Sequence, residues 1–189
     1  MKKEIEIQII IKNPIEVERK IKEIGKFIEV QKQVDKYFVP PHRDFFAKEP
    51  PIEYLRIRQE KGKNHLNYSF CHFGKNNWLG ETDEYETRIE KPKIVEEIFK
   101  KIGLIHKVTV IKTRKYFKCG DFEVTLDNVR GLGDFMEIEA KKNFGSVKKT
   151  KNACLNFLKN LNIEYKFKSQ AGYPRMLYRK LKKIKNAKN

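Results

Sequence analysis

The sequence predicts an α+β fold in which about eight antiparallel strands are covered by three or four helices. Three observations lead to this prediction. Apolar and polar residues alternate with a period of two over several segments, which is typical of strands with one buried face. Apolar residues at helical spacing occur between and after two groups of such segments. Short strands and helices do not alternate regularly, so a parallel sheet is not indicated.

The first predicted unit is a strand followed by a helix. Residues 3–11 alternate charged or amide side chains with isoleucines, which predicts a strand. Asn13 suits the N-cap of a helix, Pro14 suits its first turn and Gly25 suits its end. The apolar spacing between these residues therefore predicts a helix up to Gly25.

The first group of strands continues after this helix. Residues 27–39 are rich in β-forming residues and end at two prolines. Residues 54–60 and 64–73 flank a Lys-Gly-Lys turn, as expected for a hairpin, and residues 81–90 predict one more strand.

A second predicted helix separates the two groups of strands, and a third follows the second group. The predicted elements are a helix over 92–103, strands over 106–118, 121–126 and 134–142, a helix over 146–161, and a basic helix or tail over 174–189.

The composition restricts the class of protein and its partners. The 189 residues carry a formal net charge of +17, which predicts an anionic partner such as nucleic acid, a membrane surface or polyphosphate. No segment approaches the roughly 18 apolar residues of a membrane span. Acidic residues interrupt the N-terminal segment and no small-residue cleavage site follows, so we expect a cytoplasmic protein. The three cysteines lack the spacing of a disulfide framework or zinc site.

Pairs of like charge, spaced by two residues, mark five of the predicted strands. Side chains at positions i and i+2 of a strand lie on the same face. The pairs are Glu4 and Glu6, Arg56 and Arg58, Glu84 and Glu86, Lys112 and Arg114, and Glu137 and Glu139. These faces either meet solvent on an open sheet or line the polar interior of a closed barrel. In a barrel they must pair with one another, with metal ions or with an anionic substrate.

Six motifs follow one another along the chain. They are EIEIQ at 4–8, QVDKYFVPPHRDF at 33–45, YLRIR at 54–58, DEYE at 83–86, KTRKYF at 112–117 and LDNVRGLGDFMEIE at 126–139. The first resembles the ExExK signature of the CYTH, or triphosphate tunnel, superfamily, and the others follow in the order of that superfamily. The superfamily includes class IV adenylate cyclases and thiamine triphosphatases. The resemblance covers residues 3–173 and is closest to the class IV adenylate cyclase branch.

The resemblance implies an eight-stranded antiparallel closed barrel with helices packed outside. It implies a triphosphate tunnel domain over 1–173 that precedes the basic segment 174–189. By matching motif, it assigns phosphate binding to Arg56, Arg58, Lys112 and Arg114, and Mg²⁺ or Mn²⁺ binding to Glu4, Glu6, Glu137 and Glu139, with Glu84 and Glu86 as secondary candidates. The implied substrate is a nucleoside triphosphate, thiamine triphosphate or inorganic tripolyphosphate.

Four positions depart from the pattern of the superfamily. Gln8 stands at the lysine of ExExK, Ser69 at a phosphate-binding lysine, Thr82 at an arginine, and Gly172, before Tyr173, at the serine of a Ser-Tyr pair common in cyclase-like members. Glutamine can donate a hydrogen bond but carries no positive charge. We therefore expect a metal-dependent enzyme that cyclises ATP or hydrolyses a triphosphate, with Gln8 at the catalytic position, or alternatively a catalytically weakened triphosphate- or polyphosphate-binding module. A nucleic-acid-binding protein is the least favoured hypothesis, and the sequence leaves a homodimer open.

Overall fold

A computed structural model describes residues 2–73, 79–167 and 172–187, and in this part of the chain it has ten strands and four helices. In chain order they are β1 (Lys2–Glu4), β2 (Glu6–Ile11), α1 (Pro14–Ile24), β3 (Lys26–Val39), β4 (Glu53–Glu60), β5 (Lys63–Phe73), β6 (Leu79–Arg88), α2 (Pro92–Lys101), β7 (Ile105–Cys119), β8 (Phe122–Val129), β9 (Gly133–Ala140), α3 (Val147–Asn160), β10 (Tyr165–Phe167) and α4 (Tyr173–Asn186). The predicted α+β class is confirmed.

The strands form one antiparallel sheet with the order β1-β6-β5-β4-β3-β7-β8-β9-β2-β10. Between described residues, the hydrogen-bonded pairs leave this order open, with β1 at one end and β10 at the other. They do not close the ring expected of a barrel. Only Ile5 separates β1, which pairs with β6, from β2, which pairs with β9. The chain at Ile5 therefore joins two distant parts of the sheet.

The structure has ten strands where the sequence predicts about eight. The predicted first strand is divided at Ile5, because its two halves pair with different neighbours. The three-residue strand β10 pairs with β2 and is too short to show a period of two. The other predicted elements are present, with ends that differ by at most three residues.

Helix α1 forms where the capping residues predict it. The Asn13 side chain accepts a hydrogen bond from the Glu16 backbone N–H at 3.2 Å, and Pro14 occupies the first turn. Val17 and Ile21 are buried on the inner side of the helix. This face packs against the sheet because the apolar spacing places both residues on one side.

The apolar core lies between the sheet and the helices. One cluster joins Val17 and Ile21 of α1 and Leu158 of α3 to the apolar face of β2, where Ile7, Ile9 and Ile11 are buried. A second cluster joins the start of α4 to the middle of the sheet, and a third lies beneath α2. The three cysteines are buried, in agreement with a space-filling role. The helices therefore cover apolar strand faces and leave the alternate, polar faces to the other side.

Helix α4 continues this packing across the predicted domain boundary. It begins at Tyr173, and its buried residues Tyr173 and Leu177 belong to the second core cluster. The division between residues 1–173 and 174–189 remains a prediction, and its last two residues lie outside the described part of the chain. None of the helices in the described segments combines the length and apolar character that a membrane crossing requires.

Candidate functional site

The polar faces of the strands surround a cavity of about 1070 Å³. All eleven candidate residues predicted from the sequence contribute to its lining. They are Glu4, Glu6, Gln8, Arg56, Arg58, Glu84, Glu86, Lys112, Arg114, Glu137 and Glu139. Their shared position disfavours a fully solvated sheet face, since Lys112 and Glu137 are only 4% and 9% exposed. The structure thus brings the residues together, while their roles remain predictions.

A buried aspartate orients the arginines of β4. Asp35 on β3 lies opposite Arg58 and accepts hydrogen bonds from its Nε at 2.7 Å and Nη2 at 2.8 Å. Arg56 is more loosely held, with Nη1 4.0 Å from Asp35 Oδ2, and its buried Nε has no hydrogen-bond partner in the described structure. Arg58 is therefore fixed by a bidentate bond, whereas Arg56 retains a donor for a ligand.

The charge of Asp35 is maintained despite its burial. Burial favours the protonated carboxyl, but the positive charges of Arg58 and Arg56 outweigh it and hold the pKa of Asp35 well below its usual range. The carboxylate therefore stays ionised near neutral pH and keeps its two acceptor oxygens for the guanidinium groups.

A second buried aspartate gathers three donors on the neighbouring wall. Asp127 on β8 lies opposite Arg114 on β7 and accepts a hydrogen bond from its Nε at 2.6 Å. Lys112 Nζ and Tyr173 OH also donate to Asp127, at 3.4 and 2.9 Å. Arg114 further donates to Glu137. Although burial favours a neutral carboxyl, Arg114 and Lys112 hold the pKa of Asp127 below its usual range.

Lys112 has an unusual proton affinity because it is enclosed beside another cation. Burial and the neighbouring charge of Arg114 lower the pKa of Lys112 to about 8, against the opposing influence of Asp127. The ammonium form therefore predominates at neutral pH but is lost above about pH 8.

Glutamates crowd the side of the cavity formed by β1, β2 and β9. In the β2–β9 pair, Glu6 lies opposite Glu139 and Gln8 opposite Glu137. Burial, followed by the charges of Glu137 and Glu4, raises the pKa of Glu6 well above its ordinary value. This wall therefore holds negative charge at an electrostatic cost that a cation would reduce.

Gln8 is anchored within this wall. Its Nε2 donates a hydrogen bond to Glu137 Oε1. Its Oε1 is buried and has no hydrogen-bond partner among the described residues. The amide therefore retains one acceptor at the position where the resemblance expects a lysine.

The donor chemistry of this wall fits Mg²⁺ or Mn²⁺. Both are hard cations that prefer carboxylate oxygens, and a divalent charge would relieve the repulsion that raises the pKa of Glu6. As they stand, no three His, Cys, Asp or Glu side chains among the described residues are arranged to hold one ion. The wall therefore has carboxylate groups that suit these metal ions, but the groups do not already form a coordination site.

The remaining wall, formed by β5 and β6, carries two other departures from the superfamily pattern. Ser69 lies opposite Glu84, and its hydroxyl donates to Asn67 Oδ1 at 2.9 Å. Ser69 and Thr82 both line the cavity, where they supply no positive charge. Burial raises the pKa of Glu84 against the lowering effect of Arg56. This wall is consequently poorer in cations than the walls containing the arginines.

Sequence reasoning missed Asp35, Asp127 and Tyr173. The two aspartates occur within the motifs at 33–45 and 126–139. Antiparallel pairing of these motifs with those at 54–58 and 112–117 would have placed the aspartates opposite Arg58 and Arg114. Tyr173 had a weaker signal in its match to the tyrosine of the Ser-Tyr pair, but its contact with Asp127 was not predictable because it comes from the start of a helix rather than from a paired strand.

Comparisons with known proteins agree with this architecture. A family model for the CYTH domain matches residues 2–173. The Methanocaldococcus jannaschii protein named "Putative adenylate cyclase MJ0240" is 34% identical over 163 residues, which cover 85% of this chain and 90% of that protein. The structure of the PH1819 protein from Pyrococcus horikoshii OT3 has a TM-score of 0.79 at 26% identity and covers 94% of this chain and 99% of its own.

A plant structure shows the same fold at lower identity. It comes from Hippeastrum and is described as a "putative adenylyl cyclase" with a dominant triphosphatase activity. Its TM-score is 0.67 at 18% identity, and the match covers 94% of this chain and 95% of that chain. At this identity the likeness concerns the fold alone.

Proposed function

Because the chain belongs to the CYTH domain family, we propose that its cavity binds a triphosphate and that the protein processes it in a metal-dependent reaction. The observation that carries this proposal is the division of one cavity into walls of opposite charge. Arg56, Arg58, Lys112 and Arg114 lie on β4 and β7, whereas Glu4, Glu6, Glu137 and Glu139 lie on β1, β2 and β9.

The proposal includes a closed tunnel around the ligand. Closure is supported by the segment at Ile5, since β1 pairs with β6 on one side and β2 pairs with β9 on the other. A tunnel excludes water, which strengthens hydrogen bonds between guanidinium groups and phosphate oxygens. The triphosphate would lie along the arginine-bearing walls.

The charge balance of the cavity supports a requirement for metal. Among the described residues, the lining includes seven glutamates and six lysines and arginines, so the net charge of +17 is not concentrated in this part of the lining. A triphosphate brings several further negative charges into this space. The wall formed by Glu4, Glu6, Glu137 and Glu139 would hold Mg²⁺ or Mn²⁺, which when bound would neutralise charge on the phosphate oxygens.

The protein residues would position the phosphates and maintain the protonation states that binding needs. Asp35 and Asp127 keep the arginines oriented, so a ligand meets donors that are already fixed. In ATP cyclisation, the ribose 3′-hydroxyl attacks the α-phosphorus and pyrophosphate leaves; in hydrolysis, water attacks a terminal phosphorus. Both reactions need an in-line nucleophile and fixed cations on the phosphoryl oxygens.

A second candidate function is non-catalytic binding of triphosphate or polyphosphate, favoured by Gln8 and Ser69. A screen of ATP, thiamine triphosphate and tripolyphosphate with Mg²⁺ or Mn²⁺, with product identification, separates the two. Turnover that disappears with EDTA supports the enzyme. Tight binding of tripolyphosphate without turnover of any substrate supports the binding module instead of the enzyme. If the protein neither binds tripolyphosphate nor turns over a substrate, both candidate functions are wrong.

Arg56→Ala is expected to weaken tripolyphosphate binding by about 1.5 to 3 kcal/mol, the cost of a lost charge-assisted contact. The fold should persist because Asp35 keeps its bidentate bond to Arg58. Titration calorimetry measures the effect, with Arg19→Ala on the exposed side of α1 as the control. Equal affinity in the parent and Arg56→Ala excludes Arg56 from the phosphate site.

Tripolyphosphate binding is also expected to weaken with increasing pH, because an anion favours the ammonium form of Lys112. With a pKa of about 8, Lys112 loses most of its charge by about pH 9, so its contribution to affinity falls up to about tenfold from pH 7. The variant Lys112→Arg keeps its positive charge at pH 9 and should lose the part of the pH dependence that is due to Lys112. Because tripolyphosphate itself titrates in this pH range, calorimetry compares the pH dependence of the affinity in the two proteins, in which the ligand contributes equally. Identical pH profiles would show that Lys112 does not contribute.

Glu6→Gln is expected to stabilise the metal-free protein by about 1 kcal/mol or more, because it removes a buried carboxyl whose ionisation the surroundings oppose. The raised pKa of Glu6 gives the sign, since a carboxyl with a raised folded pKa costs stability above its unfolded pKa. The variant should also lose much of the rise in melting temperature caused by Mn²⁺. Thermal unfolding with EDTA and with Mn²⁺ measures both effects, with exposed Glu164→Gln as the control. An unchanged Mn²⁺ response rules out Glu6 as a metal ligand.

A further inference from the structure

The last turns of α4 form a surface that the described remainder of the chain does not cover. Every residue over 179–187, which we call the exposed end of α4, is exposed. At the other end of the helix, Tyr173 and Leu177 are buried in the second core cluster. Helix α4 is therefore fixed to the body at its beginning and presents its final turns to solvent.

An apolar stripe runs along α4 from its buried beginning to its exposed end. Tyr173, Leu177, Leu181 and Ile184 are spaced by four, four and three residues, which places them on one face of a helix. Leu181 and Ile184 are 50% and 46% exposed. The face that packs against the protein in the first half of the helix thus continues into solvent in the second half.

Basic residues surround the exposed part of this stripe. They are Arg179, Lys180, Lys182, Lys183 and Lys185. The chain contains no Asp or Glu after Glu164. In the described segments, no carboxylate pairs with Lys182, Lys183 or Lys185. The exposed end therefore combines an apolar stripe with three lysines that have no carboxylate partner in the described segments.

Two contacts hold the exposed end in its orientation. Arg179 Nη2 lies 2.5 Å from Glu49 Oε2, and Lys180 Nζ donates to the Gly131 carbonyl at 2.7 Å. The unpaired lysines follow these contacts. The basic and apolar groups are consequently presented by an anchored helix.

We propose that the exposed end of α4 binds an anionic lipid surface. A helix lying in the headgroup region would insert Leu181 and Ile184 at the acyl boundary, while its lysines reach lipid phosphates. Nucleic acid would use the lysines but leave the apolar stripe in water. A second copy of α4 would bring the same positive charge and no carboxylate. An anionic membrane surface uses both properties of the helix.

The test is sedimentation of the full chain with vesicles of phosphatidylglycerol and phosphatidylcholine, compared with vesicles of phosphatidylcholine alone. We expect salt-sensitive binding to the anionic vesicles only. The double variant Leu181→Gln, Ile184→Gln should weaken it about tenfold. Replacing Lys182, Lys183 and Lys185 by Gln should weaken it about 100-fold. Equal binding to both vesicles, or unchanged binding by either variant, overturns the proposal.

Helix α2 provides a matched control. Ile98 and Ile102 are 50% and 63% exposed, but α2 also carries Glu96 and Glu97. Ile98→Gln with Ile102→Gln should leave vesicle binding unchanged, and a loss equal to that of the α4 variant contradicts the proposal. Loss of vesicle binding in Arg56→Ala, which removes a cation of the cavity and leaves α4 unchanged, would place the lipid phosphate in the cavity and also contradict it.

A parallel binding measurement with duplex DNA tests whether α4 binds nucleic acid instead of lipid. Suppose that the protein binds DNA but not vesicles, and that DNA binding is lost in the lysine variant and retained in the Leu181→Gln, Ile184→Gln variant. Nucleic-acid binding would then replace the lipid proposal. Circular dichroism confirms that each variant is folded. These outcomes do not depend on the reaction in the cavity, so the two proposals can fail separately.

Discussion

Replacing Arg114 by methionine is expected to lower the free energy of unfolding by about 3 to 5 kcal/mol, the cost of leaving a buried charge without its partner. Arg114 donates to both Asp127 and Glu137, whose side chains are 1% and 11% exposed. After the substitution, Asp127 retains Lys112 at 3.4 Å and Tyr173 at 2.9 Å. Neither contact replaces a guanidinium that satisfies two carboxylates at once.

The pH dependence identifies the cause of this loss. In the parent, the depressed pKa of Asp127 contributes stability above its unfolded pKa, and this contribution is lost as the pH falls through the folded pKa. The variant lacks most of that contribution. The difference in unfolding free energy should therefore stay large from neutrality down to the ordinary aspartate range, about pH 4, and shrink as the pH falls further towards the folded pKa of Asp127.

Urea denaturation at several pH values measures both effects. The matched control is Arg19→Met, which breaks an exposed pair with Glu23 on α1, with side chains 63% and 57% exposed. It should change the free energy of unfolding by no more than about 0.5 kcal/mol. An Arg114→Met protein that is as stable as this control would show that Asp127 and Glu137 do not depend on Arg114.

The location of the site was predictable because strands have a strict period of two. Arg56 and Arg58 share one strand face, as do Glu137 and Glu139, and both pairs line the cavity. The signal was strong because both residues of each pair carry charge of the same sign and the residue between them is apolar. These intervening residues, Ile57 and Ile138, are fully buried. Alternation thus placed these side chains on one face opposite the apolar one, and the resemblance to the superfamily assigned that face to the interior of a tunnel.

The groups that hold the site in place were harder to predict, because they depend on contacts between distant segments. Asp35 acquires its role from the register that sets it opposite Arg58, and Tyr173 from the packing of α4 beside Asp127. The division at Ile5 likewise follows from competition between β6 and β9 for one segment. A local pattern contains none of this information, since the same alternation is compatible with either neighbour.

Gln8→Lys is expected to raise the turnover of a triphosphate by an order of magnitude or more, since a positioned acid or base contributes about 10² to 10⁴-fold. The position favours a cation, because Gln8 lies opposite Glu137 in a wall where burial and neighbouring carboxylates raise the pKa of Glu6. A lysine there would also compete for Glu137 and release an Arg114 donor towards the phosphates. Binding should change less than turnover, because a cation beside the reacting phosphorus acts chiefly on the transition state.

Steady-state kinetics and tripolyphosphate titrations on the parent, Gln8→Lys and Gln8→Met test this expectation. Methionine removes the hydrogen bond to Glu137 without adding charge, so a gain confined to the lysine variant attributes the effect to the positive charge. If the parent is already fast and lysine slows it, the buried acceptor Oε1 of Gln8 has its own part in positioning the nucleophile. If all three proteins bind tripolyphosphate but none turns over a triphosphate, the missing lysine does not limit the chemistry, and the cavity functions as a binding site.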